Sequence, residues 1–167
     1  MSLTADAEDA AYSAFQAAYS GDTGTGVNAL NDNSKTTGVY NSTAYLIGGF
    51  FRRGDPLPAL GSPTVPRIEC EPVGFTEVDS PDHARVEGIV RMHVLSEGGT
   101  PSGFASQQAV ALRVRQLYHR AALSSSGGWS FSTLYRKRAF QAPRSETEQH
   151  LIVEFAVVMS AGSGGGF

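Results

Sequence analysis

The chain has 167 residues, 41% apolar and only 17% charged, with a formal net charge of −3. That is enough for one domain burying about 70% of its unfolded surface, under a charge cover thinner than the roughly 25% of an average domain. The acidic balance argues against a free-standing basic DNA-binding domain. The single cysteine, Cys70, excludes an internal disulfide and a cysteine-rich zinc site. The longest apolar run, 155–159, is far below the ~20 residues of a bilayer span. Nor does the opening Met1-Ser2-Leu3-Thr4-Ala5-Asp6 have the basic and apolar blocks of a secretory leader.

The first expected element is a helix over residues 5–19. Ser2 or Thr4 can cap it, and Asp6, Glu8 and Asp9 suit the positive end of the helix dipole. Ala7, Ala11, Phe15 and Ala18 recur at helical spacing, with Tyr12 and Tyr19 beside them. From Gly21 to Pro66 the chain reads as mostly irregular, with turn chemistry at 21–26 and 31–34 and room for a short helix at 27–30. Within it, Val39 to Phe51 is too apolar for a solvated linker, and Pro56, Pro58, Pro63 and Pro66 favour extended backbone. A loop this long usually serves function or wraps a partner.

Past Pro66 the period becomes two. Over 67–73 Ile68 and Cys70 alternate with Glu69 and Glu71; over 84–95 Val86, Gly88, Val90, Met92 and Val94 alternate with Arg85, Glu87, Ile89, Arg91 and His93. A helix is expected over 105–123, with Val110, Val114, Leu117 and Ala121 as its buried stripe, widened by Leu112 and Tyr118, and Arg113, Gln116 and Arg120 on a solvent or partner face. Strands follow at 129–136 and 149–160, the second with Leu151, Val153, Phe155, Val157 and Met159 on one face. The fold class is α+β: an antiparallel sheet of about four strands, with an N-terminal helix and one long central helix packed on one face. Residues 1–161 read as one domain and 162–167 as a flexible glycine-rich tail.

No constellation of residues reads as catalytic. Cys70 lies on an apolar strand face, where a buried thiol is the plain reading. His83, His93, His119 and His150 lack metal-ligand spacing, and His93 and His150 fall on polar strand faces as solvent or interface residues. Glu69 and Glu71 read as a solvated strand face. Gly21 to Gly26 follows a helix instead of a strand, the wrong context for a phosphate loop. Neither a metal nor a cofactor is expected. Arg136-Lys137-Arg138 with Arg144 nearby, and Arg52-Arg53, are the basic clusters; phosphate binding, a protein interface and the solvated end of a hairpin all fit them.

Several stretches together resemble the tail-terminator and tail-completion (head–tail joining) proteins of long-tailed bacteriophages. They are the alanine-rich first helix, the strand entry Pro66-Arg67-Ile68-Glu69 and the strand end His93-Val94-Leu95-Ser96 before Glu97-Gly98-Gly99. The helix with Val110, Leu112, Val114 and Leu117 follows, then Gly127-Gly128-Trp129, and the last strand His150-Leu151-Ile152-Val153-Glu154-Phe155-Ala156-Val157. The resemblance covers residues 66–161 and implies a non-enzymatic virion protein of the tail and neck, assembled in the host cytoplasm. It implies a homohexameric ring that caps the tail tube, stops its growth and docks the head connector. Genomic DNA would pass through the channel without specific binding, and no membrane is involved. Tyr45, Phe50, Phe51, Arg52, Arg53, Arg136, Lys137, Arg138 and Arg144 are then the expected contact residues, being apolar or arginine-rich in expected loops. A different neck ring, a connector or stopper, would share the fold class. The opening Ala14-Phe15-Gln16-Ala17-Ala18-Tyr19-Ser20-Gly21-Asp22 also resembles the first helix of nuclear-transport-factor-2-like folds, which would imply a small enzyme or ligand-binding cone with a polar pocket.

Overall fold

A computed structural model describes residues 2–22, 30, 38–40, 43–45, 50–55, 67–78, 84–98, 101–143 and 148–161. Helix α1, Leu3–Gly21, starts where the Ala5 N–H donates to the Ser2 side-chain oxygen at 3.2 Å. Its buried stripe is Ala7, Ala10, Ala11, Ala14 and Phe15. Four alanines let the helix axis approach the sheet closely, and Phe15 fills the space beyond them.

The segment expected to be irregular contains three short strands. β1, Gly38–Tyr40, and β2, Thr43–Tyr45, form an antiparallel hairpin, and β3, Phe50–Arg52, runs parallel to the start of β4, Arg67–Val78. The expected short helix at 27–30 and the tail at 162–167 lie outside the described residues, except for Leu30. β5, Arg85–Glu97, pairs antiparallel with β4 and along its full length with β8, Glu148–Ala161. The far edge of β8 is shared: β6, Trp129–Phe131, pairs with its end, and β7, Tyr135–Gln141, with residues 151–156. The main sheet is therefore mixed and six-stranded, ordered β3-β4-β5-β8-β6 with β7 also on β8, and not antiparallel with about four strands.

Three further boundaries differ from expectation, each for a local reason. β4 runs past Val73 because a bulge between Val73 and Thr76 absorbs Gly74, whose φ of +64° suits glycine. Helix α2 is Pro101–Tyr118, not one long central helix to Leu123; at 18 residues it is shorter than α1 and stops before Arg120, which takes φ +62°. The strand expected over 129–136 splits into β6 and β7. At the break Leu134 is fully buried, donating its N–H to the Ala121 carbonyl at 2.9 Å and accepting from the Arg120 N–H at 2.7 Å.

The alternation read from the sequence holds in the central strands. Val86, Val90, Met92 and Val94 of β5, and Val153, Phe155, Val157 and Met159 of β8, are all buried on the helix-facing side. Both helices meet there. Phe15 of α1 stacks on Tyr118 of α2 with ring centroids 4.8 Å apart, and both lie against Phe155, at 6.3 and 5.8 Å. The Tyr118 hydroxyl donates to the Phe15 carbonyl at 2.7 Å, and burial raises its pKa well above the ordinary phenol value. Gly88 is the one gap in the β5 stripe. A Cβ there would lie 2.1 Å from the ring of Phe75, so the glycine makes room for that aromatic across the bulged part of β4.

Candidate functional site

The opposite face of the sheet is built from side chains that the same alternation sends away from the helices. Arg67 pairs with Glu69 and Glu148, both at 2.8 Å, and Arg53 reaches Glu69 at 3.1 Å. Glu154, 1% exposed, is held between Arg91 at 3.0 Å and Arg138. Burial alone would raise the Glu154 pKa, but hydrogen bonds from Arg138 and Arg91 outweigh it and hold the carboxyl below the usual range. Between these groups His93 Nε2 lies 2.9 Å from Glu71 Oε1, and His93 Nδ1 lies 2.7 Å from His150 Nε2. With both rings neutral, one tautomer set satisfies the chain: His150 donates to His93, and His93 donates to Glu71. Burial lowers both histidine pKa values, and each ring's charged surroundings modulate the shift.

This corrects two sequence expectations. His93, 4% exposed, is not a solvent or interface residue, and Glu69, 8% exposed, is not part of a solvated face. Sequence period gives the face but not the cross-strand partners that close over it; those depend on the β4–β5–β8 register. The network's polar groups are directed at one another. Cys70 is fully buried with its thiol pKa raised by desolvation, as a structural cysteine would be. Among the described residues no cluster of three metal-ligating side chains exists, and no helix is long and apolar enough to cross a membrane. The space between helices and sheet, where the nuclear-transport-factor-2-like alternative needs a pocket, is occupied by Phe15, Tyr118 and Phe155.

The expected contact residues do not form one cluster. Phe50 belongs to the core: 7% exposed, it stacks on Tyr19 at 5.0 Å. Phe51 is half-buried on the same strand. Arg52 is engaged internally, pairing with Asp9 at 2.5 Å and lying 5.5 Å from the Tyr12 ring centroid, while Arg53 serves Glu69. Tyr45 ends β2, and its side chain lies outside the described residues, as does Arg144. Arg136, Lys137 and Arg138 sit on the other side of the sheet, in β7, as strand residues and not in a loop. A bulge falls between Arg136 and Arg138; Arg138 turns to Glu154 and lies over Phe140 at 4.7 Å, leaving Arg136 and Lys137 exposed.

β7 and the outer surface of α2 make a flank of different character. Its exposed large apolar side chains are Phe104 (51%), Leu112 (43%) and Tyr135 (56%). A groove of about 230 Å³ runs between α2 and β7, floored by Leu151 and Val153 and edged by Leu112, Arg115 and Arg136. The expected buried stripe included Leu112, which is instead exposed, since an apolar residue on a helix reads as core; Phe104 fell before the expected helix and was given no role. Sequence reasoning also missed a signal that was present. Residues 98–145 contain no Asp or Glu and seven of the 13 Lys and Arg; the remainder carries all 16 acids against six cations, a formal −10.

No family model matches this chain, and no curated protein matches it significantly. Among solved structures it is similar to a chain of the virion of a native gene transfer agent (GTA) particle, at 19% identity over 66% of this chain and 78% of that one, with a TM-score of 0.45. A likeness at that level assigns no role to this chain.

Proposed function

We propose that this chain is a structural virion protein of a phage-type particle, working as a tail terminator. It forms a ring, a homohexamer by the family resemblance, that caps the tail tube, ends its polymerisation and offers the opposite face to the head connector or stopper. No bond-making step is part of the reading. The sequence resemblance over residues 66–161 supports it. The structural observation that carries it is the division of labour across the sheet. Among the described residues, the ionisable groups that cluster on the sheet face are engaged with one another in the Arg67–Glu69–Glu148, Arg91–Glu154–Arg138 and Glu71–His93–His150 sets. Exposed apolar and cationic side chains gather on the α2–β7 flank, the composition of a protein contact surface.

A ring requires a heterologous contact, one patch on each subunit meeting a different patch on the next, with a rotation that closes. The net acidic subunit suits a channel through which DNA slides without sticking. The test is assembly. The purified full chain, measured by native mass spectrometry and electron microscopy, should give closed rings; added to polymerising tail-tube protein, it should cap tubes at one end. A monomer at high concentration, with tubes growing unchecked, overturns the reading.

A further inference from the structure

The geometry points to a specific subunit contact: the basic β7 edge of one copy docks against the acidic corner formed by α1 and β3 of a second copy. The inference rests on the ring reading above and names the surfaces that reading leaves open. These two surfaces stand at opposite ends of the sheet, since the strand order runs from β3 through β4, β5 and β8 to β6 and β7. A contact joining them is head-to-tail, as a ring requires.

The β7 end carries an unmatched positive charge. All of β7 except Phe140 is exposed, and among the described residues no strand pairs with its outer side. Among the described residues Arg136 and Lys137 of β7, and Arg115 of α2, make no ion pair, and no acid occurs in the sequence between Glu97 and Glu146 to supply one locally. The opposite end is unmatched in the other sense. Glu8, Asp9 and Asp55 surround Arg52, three carboxylates to one guanidinium, and Asp9 and Asp55 are exposed. Arg53 does not redress the balance, because it is turned to Glu69. Each copy thus leaves a positive end and a negative end for its neighbours, and the exposed Leu112 and Tyr135 add apolar area to the positive one. A nucleic acid would satisfy the cations too, but it gives no role to the exposed apolar side chains or to the carboxylates at the other end.

The test is a charge swap in the full chain. Arg136→Glu with Lys137→Glu should weaken self-association about tenfold or more, the order expected for losing close charge pairs across an interface. Glu8→Lys with Asp55→Lys should do the same, and mixing the two variants should restore assembly, since each supplies the end the other has reversed. Rings that form unchanged from Arg136→Glu/Lys137→Glu protein overturn this contact while leaving the ring reading intact. Loss of assembly in both variants without rescue on mixing overturns it as well. Loss of duplex-DNA retention by the β7 variant with unchanged oligomer mass assigns the edge to nucleic acid and overturns the contact. A wild-type chain that never self-associates overturns both.

Discussion

The two polar regions of this molecule use the same residue types to opposite ends. On the β4–β5–β8 face, Arg67, Glu69, His93 and Glu154 are buried, and Arg67, His93 and Glu154 each meet a partner from another strand. On the α2–β7 flank, Arg115, Arg136 and Lys137 stand exposed with no acid nearby in sequence and, among the described residues, no ion pair. The first region is therefore part of the fold, and a change there should be read in stability. The second contributes little to the monomer, and a change there should be read in assembly. Charge content alone separates nothing here; pairing does.

The sharpest way to break this contrast is at Glu154. Replacing it with alanine removes the shared acceptor of Arg91 and Arg138 and leaves Arg91 half-buried beside His93 and Glu71. Breaking one side of a buried pair costs up to 3–5 kcal/mol; with Arg138 largely exposed we expect about 3 kcal/mol, read as a fall in denaturation midpoint with unchanged slope. A cost below about 0.5 kcal/mol, the scale of a surface pair, would move this face into the solvated class.

Gly88→Ala comes next. The added methyl meets the Phe75 ring, which is itself buried at 7% exposure, so either the ring or the β4 bulge must move. Overpacking of this kind costs about 1–3 kcal/mol. Combining it with Phe75→Leu should recover part of the loss, and absence of recovery would place the strain elsewhere.

The pH dependence separates the two kinds of paired group. His93 and His150 have folded pKa values below 6.5, so the unfolded chain binds more protons as pH falls past that value. Their contribution is fully present above pH 6.5 and is lost as pH falls through the folded values. The geometry adds a reason: two protonated rings would turn N–H toward N–H across 2.7 Å. Glu154, with its folded pKa below 4.5, keeps its contribution above that pH and loses it only further down. Thermal melts should therefore show a first decline near and below pH 6.5 that His150→Gln flattens, and a second at lower pH that it leaves alone.

Much of the core was legible in the sequence because strand period two is a purely local rule. Val86 to Val94 and Leu151 to Met159 alternate with no help from the rest of the chain. The α1 stripe was legible for the same reason. What was not legible depended on contacts distant in sequence. β3 is three residues whose identity as a strand comes from Ile68 to Cys70 beside it, and the β6–β7 break comes from Leu134 bonding back to Ala121. The candidate contact surface was half legible: Arg136 and Lys137 stood out as a basic run, but Arg52 and Arg53, equally basic, are taken up by Asp9 and Glu69 within the same chain. Nothing in a dipeptide distinguishes an arginine with a partner from one without.

The smallest expected effect tests the flank directly. Leu112 is 43% exposed at the rim of the α2–β7 groove, so Leu112→Ser removes little buried area from the monomer. Surface substitutions of this kind fall within about ±0.5 kcal/mol, and serine's slightly lower helix propensity lies inside that range. The denaturation midpoint should hardly move, whereas self-association should weaken, because the apolar area would be lost from the contact and not from the core. A loss above about 1 kcal/mol in the monomer would mean that Leu112 is covered by its own chain, and the flank would then belong to the fold as fully as the Glu154 cluster does.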